Sequence, residues 1–268
     1  MTEIELILLS FVVGSGAGVL IGMLGIGGGI IFVPFYYFVL PSLHIPLDLV
    51  PYFAIGTSLF AGAIAASNSA VNHFVQKNII LRKGLILSVG SIVASIATPF
   101  FVVKTNAFIL HIIFSVLFIF VALRMLFANG KANAKKSSIK LHDYYLLGFG
   151  LVIGVVSSFS GIGGGLLYFP TLIYLFHTEI KPAVGTSSLA TAVTMIFSAL
   201  SFSQQQKSQA FAGSVGYIMI LPGLILGISA AIGSYFGVQL ALKSKDVYIK
   251  KIFAVILIIA VLKIILEL

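Results

Sequence analysis

A chain of 268 residues that is 59% hydrophobic and only 9% charged, with a mean hydropathy of +1.15, has too little polar surface to face water as a soluble domain of its size. Its net charge of +9 does not point to nucleic acid, because the Lys and Arg residues fall in short loops between apolar runs, where the positive-inside rule places them. The absence of cysteine excludes disulfides, thiol chemistry and thiolate metal sites.

The chain opens on Met1-Thr2-Glu3-Ile4-Glu5, an acidic start without the basic residues of a signal peptide, so this end is expected to be retained. Apolar segments follow at about 4–24, 27–40, 49–72, 84–103 and 106–127. A polar linker, 129–142, then carries Lys131, Lys135, Lys136 and Lys140. Further apolar segments run at about 144–160, 163–177, 183–203, 212–242 and 247–267. Most of these are long enough to cross a bilayer as helices. They lack the alternation of an outer-membrane barrel strand, and hydrocarbon forces the remaining option, a helix.

The two groups of segments are copies. Gly14, Gly18, Val19, the run Gly25-Ile26-Gly27-Gly28-Gly29 and Pro34 recur as Gly150, Gly154, Val155, Gly161-Ile162-Gly163-Gly164-Gly165 and Pro170. Ala54-Ile55-Gly56-Thr57-Ser58 recurs as Ala183-Val184-Gly185-Thr186-Ser187. The expected organisation is an N-terminal repeat, 1–128, the basic linker, 129–142, and a C-terminal repeat, 143–268. With the N-terminus outside and five segments per half, only Lys104, Lys207 and Lys263 of the 16 Lys and Arg residues lie outside. Counting each glycine-broken stretch once gives four spans per half, and strands Lys243, Lys245, Lys250 and Lys251 on the outside. The odd count wins, and it turns the second half upside down relative to the first, a plan common in secondary transporters. The expected fold is therefore an all-α polytopic membrane protein of two inverted repeats of about five segments each. Segments 27–40 and 163–177 are either full spans or return arms of re-entrant hairpins.

The glycine runs are costly inside a lipid-embedded helix. Irregular backbone survives there only beside protein or a watery cavity. They are read as breaks that present N–H groups at the start of the next arm, a setting that attracts anions. The bland alternative is close helix packing. No Lys-Ser/Thr follows the last glycine, since Ile30 and Leu166 stand there, so these are not P-loops. Thr57-Ser58 and Thr186-Ser187 suit helix N-caps at a start or a break. Helical spacing groups Ser58 with Gly62, Ala65, Ser69 and Asn72, and Ser187 with Thr191, Thr194, Ser198 and Ser201. Such faces line a cavity or hydrogen-bond a neighbouring helix.

All seven acidic residues fall at segment ends, so the carboxylate of a proton-coupled carrier is missing. The histidines make no metal-ligand spacing, and no metal or cofactor is expected. His111 alone lies within a segment, as an interfacial histidine or, in an intramembrane enzyme, a catalytic one. Neutral donors without a carboxylate favour an anionic ligand. The candidate site comprises backbone donors of Gly25, Gly27, Gly28, Gly29, Gly161, Gly163, Gly164 and Gly165. Hydroxyls of Thr57, Ser58, Thr186 and Ser187 join them, with Ser69, Ser157, Ser158 and Ser160 beside them.

These paired motifs resemble the sulfite exporter TauE/SafE family, also called TSUP permeases. The Gly-rich stretch ending at Pro34 with Gly56–Ser58, and that ending at Pro170 with Gly185–Ser187, carry the likeness, which covers nearly the whole chain. The resemblance implies transport of sulfur-containing anions such as sulfite and organosulfonates, in a prokaryotic cytoplasmic membrane. The family is generally described with about eight spans, and the charge count here gives ten segments. The alternatives are an anion channel of the same architecture, an intramembrane enzyme or a non-transporting scaffold. Gly223–Gly227 and Gly233–Gly237 allow close helix contact within the chain or in a homo-oligomer.

Overall fold

The computed structural model describes residues 3–106, 108–110, 112, 116, 142–205 and 213–241. His111, Arg124, segment 247–267, most of segment 106–127 and the linker 129–142 except His142 lie outside the described residues. Helix α1 spans Glu3–Leu24 and stops at Gly25, whose φ of +64° is left-handed backbone that ends a helix. Helix α2, Gly29–Val39, leads into a 3-10 turn, Leu40–Leu43. Helices α3, Val50–Val75, and α4, Leu81–Val102, complete the first half. In the second half α5, Tyr145–Ser160, ends at Gly161 with φ +72°. The short α6, Gly165–Pro170, widens into a π-helix over Thr171–Leu175. Proline supplies no N–H to the helical ladder, so the change of pitch at Pro170 has a local cause. Helices α7, Ile180–Ser203, and α8, Ile220–Ala241, follow.

Segment 212–242 is not one helix. Ser214–Val215 pairs antiparallel with Ile218–Met219 in a small hairpin, and only Ile220–Ala241 is helical. Gly213 and Gly216, at φ +79° and +57°, give the backbone the left-handed positions this turn needs. Tyr217 packs edge-on to Phe53 in the turn, and burial pushes its phenol pKa up.

Helix directions follow from which residues meet. Along α1 and α8 the contacts rise together: Gly14 with Ser229, Gly18 with Ala230, Gly22 with Ser234. Along α3 and α8, Thr57 meets Gly223, Ala61 meets Gly227, and Asn68 donates to the Ala231 carbonyl at 2.8 Å. So α1, α3 and α8 are parallel. The same reading makes α4, α5 and α7 parallel: Leu87 meets Gly150, Ser91 meets Gly154, Gly84 meets Leu189, and Ser201 donates to the Ile96 carbonyl. Between the triplets, α3 and α7 cross in opposite directions, with Gly56 near Phe202, Gly62 near Met195 and Gly185 near His73. Because α1 and α3 point the same way, the stretch holding α2 must turn back, and α6 must do so between α5 and α7.

The pairing is exchanged between halves. The first helix of each half packs on the fourth helix of the other. Glycines make this possible: a Cβ on Gly18, Gly22, Gly90, Gly150, Gly233 or Gly237 would strike the partner's backbone carbonyl. Gly223 and Gly227 likewise sit against α3, so both small-residue pairs of α8 are occupied within the chain.

Polarity is arranged for lipid. Phe11, Val12, Val89, Val93, Leu147, Ile228 and Ile232 face outward, while hydroxyls such as Ser58, Ser91, Ser158, Thr186 and Ser198 are buried. Among the described residues five helices, Ile4–Leu24, Val50–Val75, Leu81–Val102, Ile180–Ser203 and Ile220–Leu240, are long and apolar enough to cross a membrane. At one end Arg82 lies 3.7 Å from Asp143, the arginine exposed and the carboxylate half-buried. Arg82→Ala should therefore change stability by less than about 1 kcal/mol, measured as the shift in thermal denaturation of the detergent-solubilised protein.

Candidate functional site

The two glycine runs meet at the centre. A Cβ on Gly29 would overlap the Gly161 carbonyl, and one on Gly165 would overlap the Gly25 carbonyl. Each loop thus rests on the other through backbone alone, which explains glycine at both places. The Gly-Thr-Ser hydroxyls secure the crossing reciprocally. Ser58 Oγ donates to the Gly161 carbonyl at 3.0 Å, and Ser187 Oγ approaches the Gly25 carbonyl at 3.4 Å while donating to Val184 at 2.8 Å.

Thr57 and Thr186 do not cap their own helices, which begin earlier, at Val50 and Ile180. They cap helices of the opposite half instead. Thr57 Oγ1 accepts from Met219 N–H at 3.0 Å, just before α8, and Thr186 Oγ1 accepts from Ile80 N–H at 2.9 Å, just before α4. A helix start has free N–H groups that need acceptors. The exchanged packing delivers a buried hydroxyl to each.

The polar faces mostly bond to neighbouring helices. Ser158 and Ser198 hydroxyls lie 2.6 Å apart, Ser69 and Ser188 3.3 Å, and Tyr168 and Thr194 2.9 Å. Ser160 donates to the Val156 carbonyl at 2.7 Å. Ser157 Oγ and Thr191 Oγ1 are buried without a partner. Thr191 lies between the loops, near the Cβ positions of Gly27 and Gly165. In the sequence it is legible only as a member of the hydroxyl face, not as a site residue. Met195 carries no signal there at all, yet its thioether lies against Gly27, Gly62 and Gly163.

Among the described residues, the backbone N–H groups of Ile26, Gly27, Gly28, Gly29, Ile162, Gly163 and Gly164 have no acceptor. All seven residues are buried. A buried unmet donor costs about 1–3 kcal/mol, so such a cluster is rare without a ligand to meet it. No Asp, Glu, Lys or Arg is buried among the described residues, and no cluster of His, Asp and Glu is suited to a metal. The pocket where Gly27 and Gly28 face Ala17, Leu20 and Ile21 of α1 has no room for a water molecule. The centre is therefore donor-rich, uncharged and buried.

Apolar exteriors, buried hydroxyls and helices of membrane-crossing length define a multi-pass helical membrane protein with broken helices at its core. Comparison with known proteins makes this specific. Residues 10–264 match the family described as Sulfite exporter TauE/SafE. A "Probable membrane transporter protein" of Haemophilus influenzae is 31% identical over 97% of this chain and 98% of its own length. "Probable membrane transporter protein MJ0441" of Methanocaldococcus jannaschii is 29% identical over 95% of each chain. No solved structure matches the chain. The chain belongs to the TauE/SafE sulfite exporter family and is a multi-pass membrane transporter, not an enzyme.

Proposed function

We propose that this transporter exports a small sulfur-containing anion, sulfite or an organosulfonate, across a prokaryotic cytoplasmic membrane. Transport proceeds by alternating access at a midplane seat between two inverted repeats, 1–128 and 143–268. The N-terminus lies outside and the linker 129–142 is cytoplasmic. The observation that carries the reading is the pair of touching, buried glycine loops with unmet N–H groups, where no carboxylate is buried among the described residues. Donors in that setting bind anions and repel cations. The antiparallel crossing of α3 and α7 supports the inverted arrangement, and the distribution of basic residues supports the orientation. A buried centre favours a carrier over a channel, because passage requires the halves to move. A monoanion leaving a cell that is negative inside gains about 2.3 kcal/mol per 100 mV, so export needs no coupling ion.

Proteoliposomes given radiolabelled sulfite and a sulfonate series, with potential and pH gradients imposed separately, test this reading. Saturable uptake, counterflow exchange and acceleration by an attractive potential are expected. Linear flux without exchange would mean a channel, and no flux of any of these anions would defeat the proposal.

A further inference from the structure

The central loops combine two features that are hard to reconcile. They hold unmet donors, yet every residue of both loops is buried, and the pocket between α1 and the first loop has no room for water. Met195 accounts for both. Its side chain is fully buried, and its thioether end reaches the point where α3 and the two loops come together. A Cβ built on Gly163 would lie 2.6 Å from both Sδ and Cε, and one on Gly27 would lie 3.0 Å from Sδ. On the far side a Cβ on Gly62 would overlap Cε. Repeat alignment places Met195 opposite Ala66 and Thr191 opposite Gly62, so the bulk filling this space comes from one half alone.

We infer that Met195 is the plug of the substrate seat and sets the size of anion the seat accepts. This rests on the anion-transport reading above. An unbranched thioether suits such a plug. It has three rotatable bonds, adapts to irregular gaps, and its sulfur is a weak hydrogen-bond acceptor that tolerates N–H neighbours. When the side chain turns aside, its volume beside Gly27 and Gly163 becomes free space next to both loops and their unmet N–H groups. The unpaired Thr191 hydroxyl borders the same space. Gly62 leaves the thioether its resting place against α3, so a side chain there would press the plug onto the loops.

The test uses the full chain in proteoliposomes and the ratio of propanesulfonate flux to sulfite flux. Met195→Ala should raise that ratio on the order of tenfold, since a site lengthened by more than a methylene discriminates less against a longer ligand. Gly62→Ala should slow both fluxes, and combining it with Met195→Ala should restore them, a coupling that independent packing defects would not give. If Met195→Ala does not fold, Met195→Val opens part of the same space and is read the same way. An unchanged ratio, or additive losses in the double variant, overturns the plug. Wild-type vesicles that move neither anion overturn the transport reading beneath it.

Discussion

Replacing Gly165 with Ala should unfold the centre of this protein, whereas the same change at Gly148 should stabilise it. The difference is set by what each new methyl would meet. At Gly165 it would overlap the Gly25 carbonyl and lie 2.7 Å from Thr191 Oγ1. Neither loop can yield without separating the two halves. Overpacking of this kind costs about 3 kcal/mol or more when the obstacle is backbone rather than a side-chain tip. Gly29→Ala meets the Gly161 carbonyl and should behave alike. Gly148 lies within α5 and Gly16 within α1, and at both a Cβ has nothing within 4 Å. There alanine removes glycine's backbone entropy from a helix interior, a gain of about 0.5–1 kcal/mol. Thermal denaturation in detergent, followed by size-exclusion profile, measures all four. A tolerated Gly165→Ala would mean that the loops do not touch as described.

The second large effect should come from Thr186. Thr186→Val keeps the shape and removes the acceptor for Ile80 N–H. The Ile80 donor is half-buried, so losing its partner should cost about 1 kcal/mol, and the start of α4 should loosen. Thr186→Ser restores the hydroxyl and should recover most of the stability. Thr57→Val removes the acceptor for Met219 N–H in the same way, and the two sites share no partner, so their losses should add. Amide exchange at the starts of α4 and α8, measured by mass spectrometry, would show the loosening directly. If valine at either position left exchange and melting unchanged, the capping role would be lost.

Much of this architecture is legible in the sequence because it repeats. The duplicated Gly-x-Gly-Gly-Gly and Gly-Thr-Ser blocks mark the two halves, the breaks in the helices and the family. Charge placement assigns each segment a direction, and contacts between helices assign relative directions to α1, α3 and α8 and to α4, α5 and α7 independently of it. What periodicity cannot give is the partner of each face. The hydroxyls of Thr57 and Thr186 read in sequence as caps of the helices that carry them, or as ligand donors. Their actual acceptor role serves donors 162 and 106 residues away along the chain, each in the opposite half. The hairpin at Ser214–Met219 is hidden inside an apolar run, since Val215, Ile218 and Met219 read equally well as helix. Met195 is invisible because one methionine on an apolar helix is ordinary; only the glycines facing it from three directions set it apart.

The exchanged pairing also bears on what either half could be alone. A chain ending before the linker would present the grooved, glycine-lined side of α1 with nothing to fill it, since its mate, α8, belongs to the other portion. The same would hold for α4 without α5. Two copies of one portion, inserted in opposite senses, would supply each other's missing helices.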